Sequence, residues 1–399
     1  MGINKNNFPY IKQDLFGGIT AAVVALPLGL AFGVSSGMGA LTGLYGAIFV
    51  GFFASLFGGT PKQISGPTGP MTVIVALIFI EFNFRPEIVF FCIFLSGFFQ
   101  IFFGILKLGN LIKKIPLSVV SGFMTGIGVI IICLQLPILL GLGNESSVVK
   151  SLIKLQTSYN LNFQSTFLGF TCLLGLFFIP IKISKILPPP ILVLCVGTIL
   201  SFLFFYDQDL IGNIPQGIPK LILIFPIMEE MPKIIFYAIL LAMLGTIDSL
   251  LTSVIADQLT GDRHKPNKET IGQGVGNIFS GLFGGLAGAG ATMRTVVNIK
   301  AGGQTKFSGI IHSLILLLTV LVLSPIASTI PLSVLAAILI KVGIDIIDWE
   351  FFKNLTTKSR LEISTTFLVI FLTVFINLII AVFAGILFYI ILKLVLKKD

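Results

Sequence analysis

Phe53-Ala-Ser-Leu-Phe-Gly-Gly59 returns late in the chain as Phe279-Ser-Gly-Leu-Phe-Gly-Gly285. A second pair follows in the same order: Pro116-Leu-Ser-Val119 is repeated as Pro331-Leu-Ser-Val334. After it, Gly126-Ile-Gly-Val-Ile-Ile131 is echoed at the same offset by Lys341-Val-Gly-Ile-Asp-Ile346. The chain therefore reads as two related halves. Between and around these repeats lie apolar runs, beginning near residues 14, 40, 67, 88, 115, 165, 188, 234, 270, 291, 307, 331, 361 and 380. Most are long enough to cross the roughly 30 Å hydrocarbon core of a bilayer as a helix, and those near 67 and 291 are short. Division into halves of about seven segments, an odd number, makes the second half enter the membrane from the opposite side. The expected fold is an all-α integral membrane protein of about 14 transmembrane segments in a 7+7 inverted repeat, an arrangement common among secondary transporters.

Composition demands the same solvent. Of 399 residues 55% are hydrophobic and 11% charged, and the mean hydropathy is +1.03, more apolar surface than a water-soluble core can hide. The net charge of +9 belongs to short loops rather than to a nucleic-acid surface. Lys5, Lys12, Lys107, Lys113, Lys114, Lys182, Lys185, the basic residues of 263–268, Lys300, Lys306, Lys353, Lys358, Arg360 and the C-terminal lysines share the side of the termini. Opposite them stand only Arg85, Lys150, Lys154, Lys220 and Lys233, which places both termini in the cytoplasm of a multi-pass plasma (inner) membrane protein. Cys92, Cys133, Cys172 and Cys195 stand singly in apolar runs and predict neither a disulfide framework nor a zinc site.

Chemistry in such a fold sits near the midplane, where interrupted helices expose backbone groups. One candidate appears in each half: Gly66-Pro-Thr-Gly-Pro-Met-Thr72 and Gly288-Ala-Gly-Ala-Thr-Met-Arg-Thr295. Small residues and prolines forbid regular helix there, and the β-branched runs Val73-Ile-Val75 and Val296-Val297 allow one to resume. Each stretch reads as the start of a half-helix, in segments 3 and 10. Two such starts facing one another, with Thr68 and Thr292 adding hydroxyls, form an anion site. The rival reading is that the glycines only let helices pack closely.

Asp248, inside Leu244-Gly-Thr-Ile-Asp-Ser-Leu-Leu-Thr252, is costly in a membrane unless it works. Thr252 lies one turn further on the same face, and the two suit sodium; the carboxylate could instead carry a proton. Arg294 holds an anion or pairs with Asp248. His312 reads as a packed core histidine, Asp257, Asp262 and His264 as solvated loop charges, and Trp349 beside Asp345 and Asp348 as an interfacial anchor. Gly272-Gln-Gly-Val-Gly276 lacks the βαβ context of a dinucleotide site. Without a nucleophile–base pair or metal cluster the chain does not read as an enzyme.

Taken together, these segments resemble the SulP family of inorganic anion transporters. The resemblance spans nearly the whole chain and rests on Ala25-Leu-Pro-Leu-Gly-Leu-Ala-Phe-Gly33 with Gly43-Leu-Tyr45, on Pro67-Thr-Gly-Pro-Met-Thr72, on Asp248-Ser-Leu-Leu-Thr-Ser253, and on Gly290-Ala-Thr-Met-Arg-Thr-Val-Val-Asn298. It implies a core domain from residues 1–110 and 232–330 that moves as an elevator against a gate domain from 111–231 and 331–399. It also implies bicarbonate held by Thr68, Ala291 and Thr292, and sodium as the co-transported ion at Asp248 and Thr252 with the backbone of Gly290. Sulfate with proton coupling, or an uncoupled channel or exchanger, is the alternative, and a homodimer is compatible with it. Arg294 is a departure from the bicarbonate-carrying members, which have glycine there, whereas many sulfate-type members have arginine; a fixed guanidinium weakens the case for sodium. A second departure is the end at Lys398-Asp399, where members of the family usually continue into a cytoplasmic STAS domain.

Overall fold

The computed structural model describes residues 10–109, 116–145, 147–158, 161–180, 183, 188–206, 208–212, 220–222, 228–376 and 378–395. The first apolar segments become α1 (Ile11–Ser35) and α2 (Ala40–Phe57). A two-residue strand β1 (Ser65–Gly66) precedes α3 (Gly69–Glu81), and α4 (Pro86–Ile105) follows. The chain continues through α5 (Leu117–Leu139), α6 (Val148–Thr157), α7 (Phe163–Phe178) and α8 (Pro189–Phe204). The second half begins with α9 (Met231–Thr260) and α10 (Pro266–Leu282), then β2 (Ala289–Gly290), α11 (Thr292–Lys300) and α12 (Lys306–Ala327). It ends with α13 (Leu332–Ile346), the short α14 (Trp349–Lys353), α15 (Arg360–Phe375) and α16 (Leu378–Val395).

Five helices among the described residues are long and apolar enough to cross a membrane: Ile11–Ser35, Ala40–Phe57, Pro86–Ile105, Leu117–Leu139 and Met228–Thr260, the last with its leading 3-10 turn. Proline and glycine punctuate them for physical reasons. Pro86 and Pro266 sit in the first turns of α4 and α10, where no N–H is needed. Gly261 ends α9 at φ 74°, a backbone that a side chain resists.

The chain divides into two compact units. One comprises residues 1–110, 178–199 and 210–331, the other 111–177, 200–209 and 332–399. In the first, matching elements of the two halves pack reciprocally: α2 against both α10 and α12, α4 against both α10 and α9, and α1 against α12. The repeated motif packs on its own copy. Phe53 stacks on Phe279 at 3.9 Å between ring centroids, and Phe49 on Phe283 at 4.8 Å, so α2 and α10 run antiparallel. Gly97 of α4 and Gly274 of α10 bring two backbones into contact. A Cβ on Gly274 would lie 2.6 Å from the Gly97 carbonyl, the close approach small residues provide where lipid supplies no hydrophobic drive. The second unit repeats the device with the second motif, since a Cβ on Gly343 of α13 would lie 2.9 Å from the Gly128 carbonyl of α5.

Candidate substrate site

Inside the first unit β1 and β2 pair antiparallel, Ser65 opposite Gly290 and Gly66 opposite Ala289. This crossing is the frame of the site. Thr68 lies two residues beyond the end of β1 and Thr292 two beyond the end of β2, so the register makes them counterparts, each at the start of a helix. Thr68 is the N-cap of α3, Ala291 that of α11, and neither helix receives a side-chain cap. The first-turn N–H groups therefore keep their partial positive charge for whatever lies in front of them.

The long helix α9 runs past both starts. Asp248, 6% exposed, accepts a hydrogen bond from the Thr68 hydroxyl at 2.8 Å. One turn on, Thr252 donates to the Gly290 carbonyl at 3.0 Å and lies 2.8 Å from the Thr292 hydroxyl. With the Thr252 hydrogen committed to Gly290, Thr292 is the donor of the second bond. Ser249, between them, accepts from the Gly290 N–H at 2.9 Å, and a Cβ on Gly290 would come within 3.0 Å of Ser249 Cα. Only glycine lets β2 lie this close to α9. Thr68, Asp248, Thr252, Gly290, Ala291 and Thr292 thus form one contiguous cluster with two carboxylate oxygens, three hydroxyls and two open helix starts.

Arg294 is buried behind the cluster, 2% exposed, and donates through Nη2 to the Pro67 carbonyl, while Nη1 has no hydrogen-bond partner. It does not form an ion pair with Asp248; the guanidinium holds the strand end and the carboxylate holds Thr68. Room for it comes from Gly66, where a Cβ would lie 2.7 Å from Nη1.

A second buried carboxylate, which sequence reasoning overlooked, fixes the frame. Glu269 of α10 is 1% exposed and accepts from Gly59 N at 2.8 Å, Thr60 N at 2.9 Å, Gln63 Nε2 at 2.9 Å and Gln273 Nε2 at 2.7 Å. Gln273 also donates to Ser65 Oγ at 2.6 Å and Gln63 accepts from Ser253, so the network ties α10 and α9 to the segment entering β1. Its signal in the sequence was a charge four residues before a glutamine on an otherwise glycine-rich helix. Further out, Lys62 bonds Asp262 at 2.8 Å, and this ammonium holds the Asp262 carboxyl below the usual carboxylate range.

His312 is fully buried in α12, with Nδ1 3.5 Å from Ser313 Oγ, as a packed histidine should be. The expectation of solvated loop charges fails for His264. Its side chain is 5% exposed and bonds Asp257 at 2.6 Å, because the last turn of α9 and the start of α10 fold the ring between them. Asp262, 57% exposed, does face solvent. Trp349 is half-exposed and donates to the Ile344 carbonyl.

Known proteins share this architecture. The chain is 48% identical over 364 residues to the bicarbonate transporter BicA of Picosynechococcus sp., covering 88% of this chain and 64% of that one. It is 34% identical over 345 residues to YvdB of Bacillus subtilis, which carries a provisional sulfate-transporter name, covering 84% and 65%. The chain thus spans less than two thirds of the length of these curated relatives. The solved transmembrane domain of a cyanobacterial BicA superposes with a TM-score of 0.87 at 45% identity, over 94% of this chain and 98% of that one. Murine Slc26a9, solved in an inward-facing state, shares the fold with a TM-score of 0.87 at 21% identity, over 99% and 69%. Residues 11–370 match the model of the Sulfate permease family, and the chain belongs to that family.

Proposed function

We propose that the protein is a secondary active transporter of small inorganic anions that takes up bicarbonate together with sodium. The observation that carries this reading is the convergence of two uncapped helix starts, each with a threonine, on a buried aspartate within one packed unit. In it α3 and α11 act as half-helices. Thr68, Ala291 and Thr292 face the anion, with Arg294 adding positive charge from behind; Asp248, Thr252 and the Gly290 carbonyl face the cation. The hydrogen bonds suggest how the two ions depend on each other. The Thr68 hydrogen is committed to Asp248, and that of Thr292 to Thr252. A sodium ion at Asp248 and Thr252 would take over those acceptors and release both hydroxyl hydrogens toward an anion. Loading then favours movement of the site-bearing unit relative to the other as an elevator that carries the bound ions with it, a reading supported by the site's lying wholly within one compact unit. The likeness to BicA supports bicarbonate as the substrate.

One observation favours a second reading, proton-coupled transport of sulfate: the buried Arg294 supplies a fixed charge suited to a divalent oxyanion and reduces the need for a cation. Uptake of labelled bicarbonate and of labelled sulfate into proteoliposomes, each with and without a sodium gradient, separates the two. Sodium-driven accumulation of bicarbonate is expected. Sulfate uptake that responds only to a proton gradient would overturn the reading.

A further inference from the structure

The second unit holds a cleft that transport leaves unused. A cavity of about 480 Å³ opens where the first turn of α5 meets the connection from α13 to α15. We propose that this cleft binds a phospholipid headgroup carrying both a phosphate and a primary ammonium, with the phosphate at the start of α5 and the ammonium against Asp348, Glu350 and Glu362. The anionic end is drawn by unused donors. Ser118 and Ser121 line the cleft, are 5% and 7% exposed, and their hydroxyls have no hydrogen-bond partner. Other helical hydroxyls in this protein turn back on the carbonyl one turn earlier, Thr246 on Ala242 and Ser249 on Gly245 among them. Ser121 does not use Leu117 in this way, and a buried hydroxyl left unmatched marks a place for an acceptor. Pro116 caps α5 with no side-chain bond, so the first-turn N–H groups add to the same anionic preference, as does Lys358 on the rim.

The cationic end is set by the acids. Asp348 uses Oδ1 to cap α14 and Glu362 uses Oε2 to cap α15, which leaves one oxygen of each free, and Glu350 is exposed. Among the described residues no three His, Cys, Asp or Glu side chains gather closely enough to hold a metal ion. Spread carboxylates in a large cleft suit an ammonium with several N–H donors attached to a longer ligand. The source is the bilayer because α5 is a long apolar helix whose first turn meets the interface, and Leu117 and Trp349 beside the cleft are 78% and 48% exposed.

The test reconstitutes the full chain in nanodiscs of equal parts phosphatidylethanolamine, phosphatidylglycerol and phosphatidylcholine, and counts retained lipid by native mass spectrometry. Wild type is expected to retain phosphatidylethanolamine over the other two. The double variant Ser118→Ala/Ser121→Ala, at the phosphate end that all three lipids share, should retain about tenfold less phosphatidylethanolamine, which corresponds to about 1.4 kcal/mol. Glu350→Gln, at an exposed carboxylate that caps nothing, should lower the preference over phosphatidylcholine and decides the matter if the double variant fails to fold. Equal retention of the three lipids by the wild type, unchanged retention in the folded serine variant, or unchanged preference in Glu350→Gln would overturn the proposal. Displacement by soluble phosphoethanolamine at equal concentration would overturn the lipid source and assign the cleft to a free ligand of the same chemistry.

Discussion

Asp248→Asn removes one charge from the centre of the site and almost nothing else. Asparagine keeps the shape and can still accept the Thr68 hydroxyl through its carbonyl oxygen, where the carboxylate accepts at 2.8 Å. Because a buried unpaired carboxylate is costly, its loss should leave folding intact. The cost falls on the cation. Two unit charges about 4 Å apart attract by about 4 kcal/mol at an effective dielectric near 20, and at about 1.4 kcal/mol per factor of ten this is roughly three orders of magnitude in sodium affinity. Bicarbonate binding should weaken, because without sodium the Thr68 and Thr292 hydrogens stay on their present acceptors, but the helix starts and Arg294 are untouched and should sustain slow equilibration. The assay is uptake of labelled bicarbonate into proteoliposomes across a range of external sodium, with the thermal unfolding midpoint measured alongside. Expected is a stable variant that equilibrates bicarbonate but does not concentrate it. A variant that accumulates bicarbonate with unchanged sodium dependence would refute the assignment of Asp248 as the coupling residue.

Thr252→Val preserves volume but leaves the Gly290 carbonyl and the Thr292 hydroxyl without their present partner. The half-saturating sodium concentration should rise by about tenfold, as expected for about 1 to 2 kcal/mol per lost bond, with a smaller change for bicarbonate. Gly66→Ala meets a φ of 151° and the nearby Arg294 Nη1, so transport should fall severely while the protein still inserts, as read by uptake against surface expression. Gly97→Ile forces α4 away from α10; the overpacking should cost about 1 to 3 kcal/mol of stability and show as a lowered unfolding midpoint in a thermal melt in detergent.

Helix positions were legible because glycine, proline and charge punctuate long apolar runs. The sequence-read start near 40 coincides with α2, those near 67 and 291 fall within two residues of α3 and α11, and that near 270 lies four residues inside α10. The repeat was legible too, although its spatial meaning was not: similar heptads at Phe53 and Phe279 do not announce that their rings stack on each other. The crossing of β1 and β2 left no trace of its own, since two residues are too few for an alternating pattern. The two interrupted segments nevertheless pointed to Thr68 and Thr292 together, and the strand pairing places them at matching positions beyond β1 and β2, whereas the methionines of the same segments differ, Met71 fully buried and Met293 43% exposed. Asp248, Thr252 and Arg294 stood out as polar residues in apolar surroundings. Glu269 did not, because its neighbours Lys265 and Lys268 made it look like one more loop charge, whereas the helix begins at Pro266 and carries it inward.

The proposed transport depends on an oxyanion sitting between the starts of α3 and α11. The direct measurement is a density map of the reconstituted protein at saturating bicarbonate and sodium. Expected is an anion-shaped peak within hydrogen-bonding distance of both Thr68 and Thr292, with a cation peak beside Asp248. A bound anion remote from the two threonines, with their hydroxyls still on Asp248 and Thr252, would contradict it.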